Sequence, residues 1–447
     1  MTLLDIFPSL RAAMAPRLDP AVWPVTTGHD DHGRIRVGGV ALDDVADQYG
    51  TPTYVLDEDD VRHRCRAYRA AFPEAELAYA AKALMIRAVA DWVTNEGLSL
   101  DVCSSGELAI ALSSGVDPAR IILHGNAKTA AELRAAVHAG VGRIVVDSHT
   151  EIRLLASLAR GRQRVLVRAT PGIDIHGHPA VTTGVDDQKF GFPITGGHLD
   201  AAVRLVLEQP SLELVGLHCH LGSQITDSGL FAAAIDRLIG QMDQVRRDHG
   251  VILTNLNLGG GHAVPYRPGD PQMDLTDLSR AVDDALDEAC ARNRFPRPDI
   301  TLEPGRAIVA RAGVTLYRVV SIKTVSGART FVAVDGGMSD NPRVALYGAR
   351  YDVAVANRHP AGAHTPMTVV GRHCEAGDVL AHDVLLPCDL HPGDVLAVPC
   401  TGAYHHGLAS TYNAVGRPPV VAVRGGTARE LIRRETAADL LSRDVGL

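Results

Sequence analysis

From about residue 50 to residue 305, short apolar runs alternate with longer stretches of helical spacing. The runs are Leu77–Ala80, Leu98–Val102, Ile121–His124, Ile144–Asp147, Val165–Ala169, Leu214–His220, Leu256–Leu258 and Ile300–Glu303. Each has strand length and ends in polar or glycine residues. The stretches between them include ELRAAVHAGVG (132–142) and DLSRAVDDALDEACARN (277–293). They repeat apolar residues three and four apart, the spacing of one buried helix face. Strands that alternate with helices pair in parallel. Eight such units is the number that closes a (β/α)8 barrel of roughly 250 residues.

Past Arg306 the period changes. VTLYRVVSIKTV, TFVAVDGG, MTVVGRHC, DVLAVPC and PVVAVRGG are β-rich runs separated by Gly, Pro and Asp turns, the pattern of an all-β domain. GRIRVGGVAL near the N-terminus is a further strand pattern, expected to join that domain. The predicted class is α/β: a (β/α)8 TIM-like barrel plus a C-terminal all-β domain that includes the N-terminal strand. The expected domains are 46–310 for the barrel, and 1–45 with 311–447 for the β domain.

Composition narrows the function classes. The 447 residues suit two domains, and 46% hydrophobic against 21% charged residues suits a buried core. The formal charge of −8, with no Lys/Arg run, argues against a nucleic-acid partner. Seven cysteines, an odd count with no CxxC, suggest neither a disulfide framework nor a zinc knuckle. The N-terminus lacks a basic leader with an apolar core, and no apolar run reaches the ~18 residues of a membrane span. A cytoplasmic protein without membrane association is expected.

Barrels of this kind collect functional groups at the C-terminal ends of their strands. Those ends carry Lys82, Asp101 with Ser104, His124 with Asn126, Asp147, Arg168, His220 with Ser223, Gly259–Gly261, and Glu303 with Gly305 and Arg306. The last two strands end in GGGH and EPGR, where barrels often bind phosphate. Glycines there make a tight turn, or let backbone N–H groups approach an anion. The neighbouring EPGR favours the anion. GGGH is neither a Walker loop nor GxGxxG. Lys82, flanked by Ala80, Ala81 and Ala83, is expected in the barrel mouth, where a desolvated amine of lowered pKa forms a Schiff base. A phosphate cup, a lysine and the carboxylate Glu303 together point to pyridoxal 5′-phosphate (PLP), with the carboxylate at the ring nitrogen. His218 and His220, on one side of their strand, suit a histidine over the cofactor ring. They also leave open a metal-dependent hydrolase, which needs further His or Asp ligands on later strands.

The motifs AYAAK, HCHLGSQ, LGGG, EPGR, DGGMSDNPRVALYGA, RHCEAGD and GAYHHGLASTYN occur in one order from about Tyr54 to Val423. Together they resemble the fold-type III pyridoxal-phosphate decarboxylases, and among these most closely the diaminopimelate decarboxylases of bacterial lysine biosynthesis. The resemblance implies decarboxylation of meso-2,6-diaminopimelate to L-lysine and CO2. It implies that Lys82 holds PLP, that His220 stacks on the ring, and that Ser223, Gly259, Gly260, Gly261 and Gly305 bind its phosphate. It further implies that Glu303 meets the ring nitrogen and that Tyr404 reaches cofactor and substrate. By the same resemblance, Arg306, Arg343 and Tyr347 bind the substrate's distal carboxylate, a task suited to the guanidinium fork. The resemblance also implies a homodimer with shared active sites, in which Cys374 of the partner subunit would be the proton donor and Glu375 of the partner subunit would hold the distal amino group.

The chain also departs from the family pattern. Gly177 stands where threonine is usual. His405 and His406 replace apolar, aromatic or small residues, and His262 with Ala263 follows the glycines in place of an apolar residue and glycine. These departures leave room for a paralogous decarboxylase of a related amino acid. Pseudoenzymes on this fold usually lack the lysine or the cysteine, and both are present here. For His262 a structural role behind the phosphate loop is expected.

Overall fold

The computed structural model describes residues 18–175, 183–185 and 187–446; Gly177 lies outside them. The described chain forms two compact units. One comprises Arg64–Ala263 and Pro271–Ile308. The other comprises the described residues up to His63, Val264–Asp270 and the residues from Val309 onward.

The first unit is the barrel. Its strands are β1 (Glu76–Ala80), β2 (Ser99–Val102), β3 (Ile121–Leu123), β4 (Arg143–Val146), β5 (Gln163–Thr170), β6 (Leu212–His218), β7 (Asn255–Asn257) and β8 (Asp299–Leu302). Each pairs in parallel with the next, and β8 returns to β1 through Thr301↔Glu76 and Leu302↔Leu77, so the sheet closes. All eight lie within two residues of the runs read from the sequence. Buried strands flanked by helices are apolar on both faces, which made them legible. Ala78, Ile122, Val145, Leu166 and Val215, from β1, β3, β4, β5 and β6, form one buried cluster.

The helices carry their own start and stop signals. Ser104 caps Ser105–Ser113 by accepting from Glu107 N–H. Thr129 and Glu132 form a capping box before Ala130–Ala139, which ends at the left-handed Gly140. Helix Gly229–His249 buries Phe231, Ala234, Ile235, Leu238, Ile239 and Met242, a spacing of three and four that forms one face. It packs against Leu275–Asn293.

The β unit is built on the long strand Gly313–Thr324. This strand pairs antiparallel with Thr53–Asp57, Thr330–Val334 and Val395–Pro399. Thr53–Asp57 also pairs in parallel with Val420–Arg424. The barrel therefore starts later than the boundary expected at residue 46, because Thr53–Asp57 is paired on both sides with strands of the β sheet. The N-terminal strand pattern belongs to this unit but forms its own antiparallel sheet, Gly28–His29, Ile35–Val37 and Val40–Ala41. It is tied to the rest of the unit by Ile35 N–H donating to Ala356 O at 2.8 Å. Among the described residues, no helix is long and apolar enough to cross a membrane.

Candidate active site

At the C-terminal ends of β7 and β8 the glycines solve a packing problem. A Cβ at Gly260 would lie 2.1 Å from the carbonyl oxygen of Glu303, and one at Gly305 would lie 2.9 Å from Cβ of Ala80. Only glycine lets these strand ends approach so closely. Asn257 closes the turn, its Oδ1 accepting from Gly259 N–H at 2.9 Å. Gly260 N–H donates to His220 Nδ1 at 3.2 Å. The N–H groups of Gly259 and Gly260 are thus engaged within the protein, so these two glycines serve the tight turn. Beside them, Arg306 Nη2 donates to Ser223 Oγ at 3.0 Å. This brings a hydroxyl and a guanidinium to the rim.

Glu303 is buried just past β8, 3% exposed. Its Oε2 lies 3.3 Å from His218 Nε2, and its Oε1 accepts from Asn257 Nδ2 at 2.7 Å. Burial alone would raise its pKa, but His218, Lys82 and Asn257 outweigh burial and hold the carboxyl below the usual glutamate range. Asp101, also buried, is pushed well above the aspartate range by burial and by Glu303. Of this pair Glu303 is therefore the stronger acid, and it holds its charge in preference to Asp101.

Burial and the neighbouring positive charges push His124 well below the ordinary histidine value. Its approaches to Asp101 (3.8 Å) and Glu303 (3.9 Å) are therefore not ion pairs. Arg168 Nη1 lies 3.0 Å from His124 Nε2. A guanidinium only donates, so Nε2 accepts and the ring proton sits on Nδ1, toward the two carboxyls.

Two expectations change here. Lys82 follows β1 in the short 3-10 turn Ala81–Ala83 and is exposed, not desolvated, while both flanking alanines are buried. Its charge still acts on Asp101, His220 and Glu303, which places it at the mouth. His218 and His220 do not act as a pair. β6 ends at His218, so the strand's alternation stops there, and His220 turns to Gly260 while His218 meets Glu303. Among the described residues, the ligand atoms that do cluster are those of His124, His218 and Glu303, within 4.8 Å of one another. Arg168 and Lys82 bring positive charge to that cluster, which opposes a cation there. The mouth fits PLP on three counts: a buried carboxylate for a protonated ring nitrogen, a primary amine, and a glycine-walled rim with a hydroxyl and a guanidinium.

The remaining predicted residues lie in the β unit. Arg343 is buried, 7% exposed. Its Nη1 donates to Tyr351 Oη at 2.7 Å, and its guanidinium lies 4.8 Å from the Tyr266 ring centroid. Among the described residues it makes no ion pair, and its nearest charge-stabilising neighbours are the rings and hydroxyls of Tyr266 and Tyr351. Tyr347, in the same short helix Arg343–Tyr347, is exposed. Tyr404 is half-buried and holds a left-handed φ of 60°, a backbone state uncommon for a bulky residue. His405 is buried and meets Tyr351 edge-on at 5.6 Å. Cys374 and Glu375 are exposed on a tight loop. Asp378 pins that loop by accepting from His373 N–H (2.7 Å) and Met338 N–H (2.6 Å), and Asn413 Oδ1 accepts from Cys374 N–H (3.3 Å).

Sequence reading missed Asn257, Tyr266, Tyr351, Asp378 and Asn413 as supports. Asn257 alone left a signal, as a polar residue inside an apolar strand that ends in glycines.

Comparison with known proteins agrees with this geometry. Residues 58–310 match the family described as pyridoxal-dependent decarboxylase, pyridoxal binding domain. The chain is 56% identical over 445 residues to a diaminopimelate decarboxylase of Actinosynnema pretiosum subsp. auranticum, covering 100% of both chains. It is 46% identical over 440 residues to the enzyme of that name from Mycobacterium tuberculosis, covering 96% of this chain and 98% of the relative. The crystal structure of diaminopimelate decarboxylase from M. jannaschii in complex with L-lysine superposes with a TM-score of 0.88 at 31% identity, covering 94% of this chain and 98% of that one. Full-length identity and the architecture of the mouth lead to one conclusion: the chain belongs to the pyridoxal-dependent decarboxylases, in the diaminopimelate decarboxylase family.

Proposed function

We propose that this chain decarboxylates meso-2,6-diaminopimelate to L-lysine and CO2 with PLP as cofactor, a step of lysine biosynthesis. The observation that carries the choice of substrate is Arg343, a buried guanidinium without an ion-pair partner among the described residues. Such a group calls for a carboxylate. Diaminopimelate has one at its distal end, whereas ornithine and lysine end in an amine that a guanidinium repels.

When bound, PLP supplies an electron sink for the pair left by the departing CO2. Lys82 would hold it through its amine, Glu303 would meet the ring nitrogen, and His220 would lie against the ring. Ser223 and the glycine turns at Gly259–Gly261 and Gly305 would cup the phosphate, and Tyr404 would contribute from the β domain. Arg306, Arg343 and Tyr347 bind the distal carboxylate.

The working form is a homodimer. Glu375 of the partner subunit holds the distal amino group, and Cys374 of the partner subunit, or a water, returns a proton to Cα. The pinned loop that turns Cys374 and Glu375 outward supports this, as does the exposure of Leu346, Tyr347 and Tyr412 in the same unit. We place the protein in the cytoplasm, a reducing compartment that suits the absence of disulfides among the described residues.

The test is turnover by the purified holoenzyme of meso-diaminopimelate, ornithine and lysine, offered singly and in competition. Lysine and CO2 should form from diaminopimelate alone. CO2 release from ornithine or lysine, with none from diaminopimelate, would overturn the assignment.

A further inference from the structure

We propose that His262 is a positioning residue: clamped by Tyr68, it holds together the two loops carrying Ser223 and Gly259–Gly261, and so sets how tightly the barrel binds the phosphate of its cofactor. The inference rests on the reading of the barrel mouth as a PLP site.

The main chain around His262 joins the two loops. Ile225 N–H donates to Gly261 O at 2.9 Å, and Ala263 N–H donates to Ile225 O at 3.0 Å. His262 forms the bridge between these bonds. Gly261 also passes so close to the Ser223 loop that a Cβ would lie 2.1 Å from Gly222 O. Any shift of His262 therefore moves both loops.

The side chain anchors this seam to two helices. Its ring is buried, with Nδ1 2.8 Å from Tyr68 Oη. The rings of His262 and Tyr68 stack at 21° and 5.6 Å, and Phe231 packs at 5.3 Å. Tyr68 lies on helix Glu58–Ala71, and Phe231 on helix Gly229–His249. Burial pushes His262 down to about 4 and Tyr68 upward, so the contact joins two neutral groups at physiological pH. Nε2 has no hydrogen-bond partner among the described residues. The ring's side-chain hydrogen bonding is thus concentrated on Tyr68. An apolar side chain would fill the space but leave the buried Tyr68 hydroxyl proton without this acceptor, a loss that Arg64, which can only donate to the oxygen, does not repair. A preorganised loop binds an anion with less ordering cost than a loose one.

Apoenzyme prepared from the holoenzyme is titrated with PLP and with pyridoxal, which lacks the phosphate. Y68F and H262L should each lower the ratio of PLP to pyridoxal affinity about tenfold, the cost of one buried hydrogen bond. The double variant should be little worse than either single one, and H262N, which keeps a polar atom near Nδ1, should recover most of the loss. An unchanged ratio in Y68F would overturn the clamp. This variant removes a single oxygen, so it decides the matter even if H262L fails to fold. A wild-type apoenzyme that binds PLP no better than pyridoxal would instead overturn the cofactor reading, and the clamp with it.

Discussion

Oε2 of Glu303 lies 3.3 Å from Nε2 of His218, and both side chains are buried. With Asn257 on the other oxygen, the contact keeps Glu303 ionised where burial alone would protonate it. Glu303→Gln keeps the shape and removes the charge. Its kcat should fall by about a hundredfold or more, the scale of losing a preorganised charge in an active site. Steady-state CO2 release measures this, and a kcat within a few-fold of wild type would show that the charge is not used.

Arg343 makes the corresponding prediction for the substrate. Arg343→Lys keeps the charge but loses the planar fork and its bond to Tyr351. The KM for diaminopimelate should rise by about tenfold or more, with kcat less affected. An unchanged KM would remove Arg343 from the substrate site.

Shared sites predict complementation. Lys82→Ala and Cys374→Ala dimers should each be severely impaired. In a homodimer with shared sites, mixing them should restore up to about a quarter of wild-type activity, because half the dimers are hybrids with one intact site. Proven subunit exchange without recovery would place both residues in one subunit's site.

The β unit carries a pH signature. Asp340 is 1% exposed and accepts from Tyr317 O–H and Gly337 N–H, yet burial raises its carboxyl to about 7. From about pH 3.8 up to about 7 the unfolded chain releases this proton while the folded chain keeps it. Stability from this group therefore falls as pH rises through that window, and falls no further above it. Urea midpoints of wild type and Asp340→Asn across the window test this. The variant should lose part of the decline, and identical slopes would contradict the raised carboxyl.

Much of the site was legible as a list and little of it as a geometry. Lys82, Glu303 and the glycines announce themselves because polar and glycine residues interrupt apolar strands at their ends. Their partners do not. His218 and Glu303 are 85 residues apart, and nothing local links β6 to β8. The pairing of His218 with His220 followed from strand alternation, which ends where β6 does. The exposure of Lys82 likewise depends on how one short turn leaves the barrel.

The sequence by itself determined the eight strand–helix units and the all-β remainder, because hydrophobic periodicity is local and each buried strand or helix face must repeat it. It also determined which chemical groups stand at the strand ends. Tertiary structure decided the rest. It took Thr53–Asp57 out of the barrel by giving its hydrogen bonds to the β sheet. It split the acidities of two mouth carboxyls by setting Glu303 beside His218 and Asp101, lowering the one and raising the other. It joined His262 to Tyr68 across 194 residues. Closure of the barrel brings these distant groups together, and burial then sets their charges.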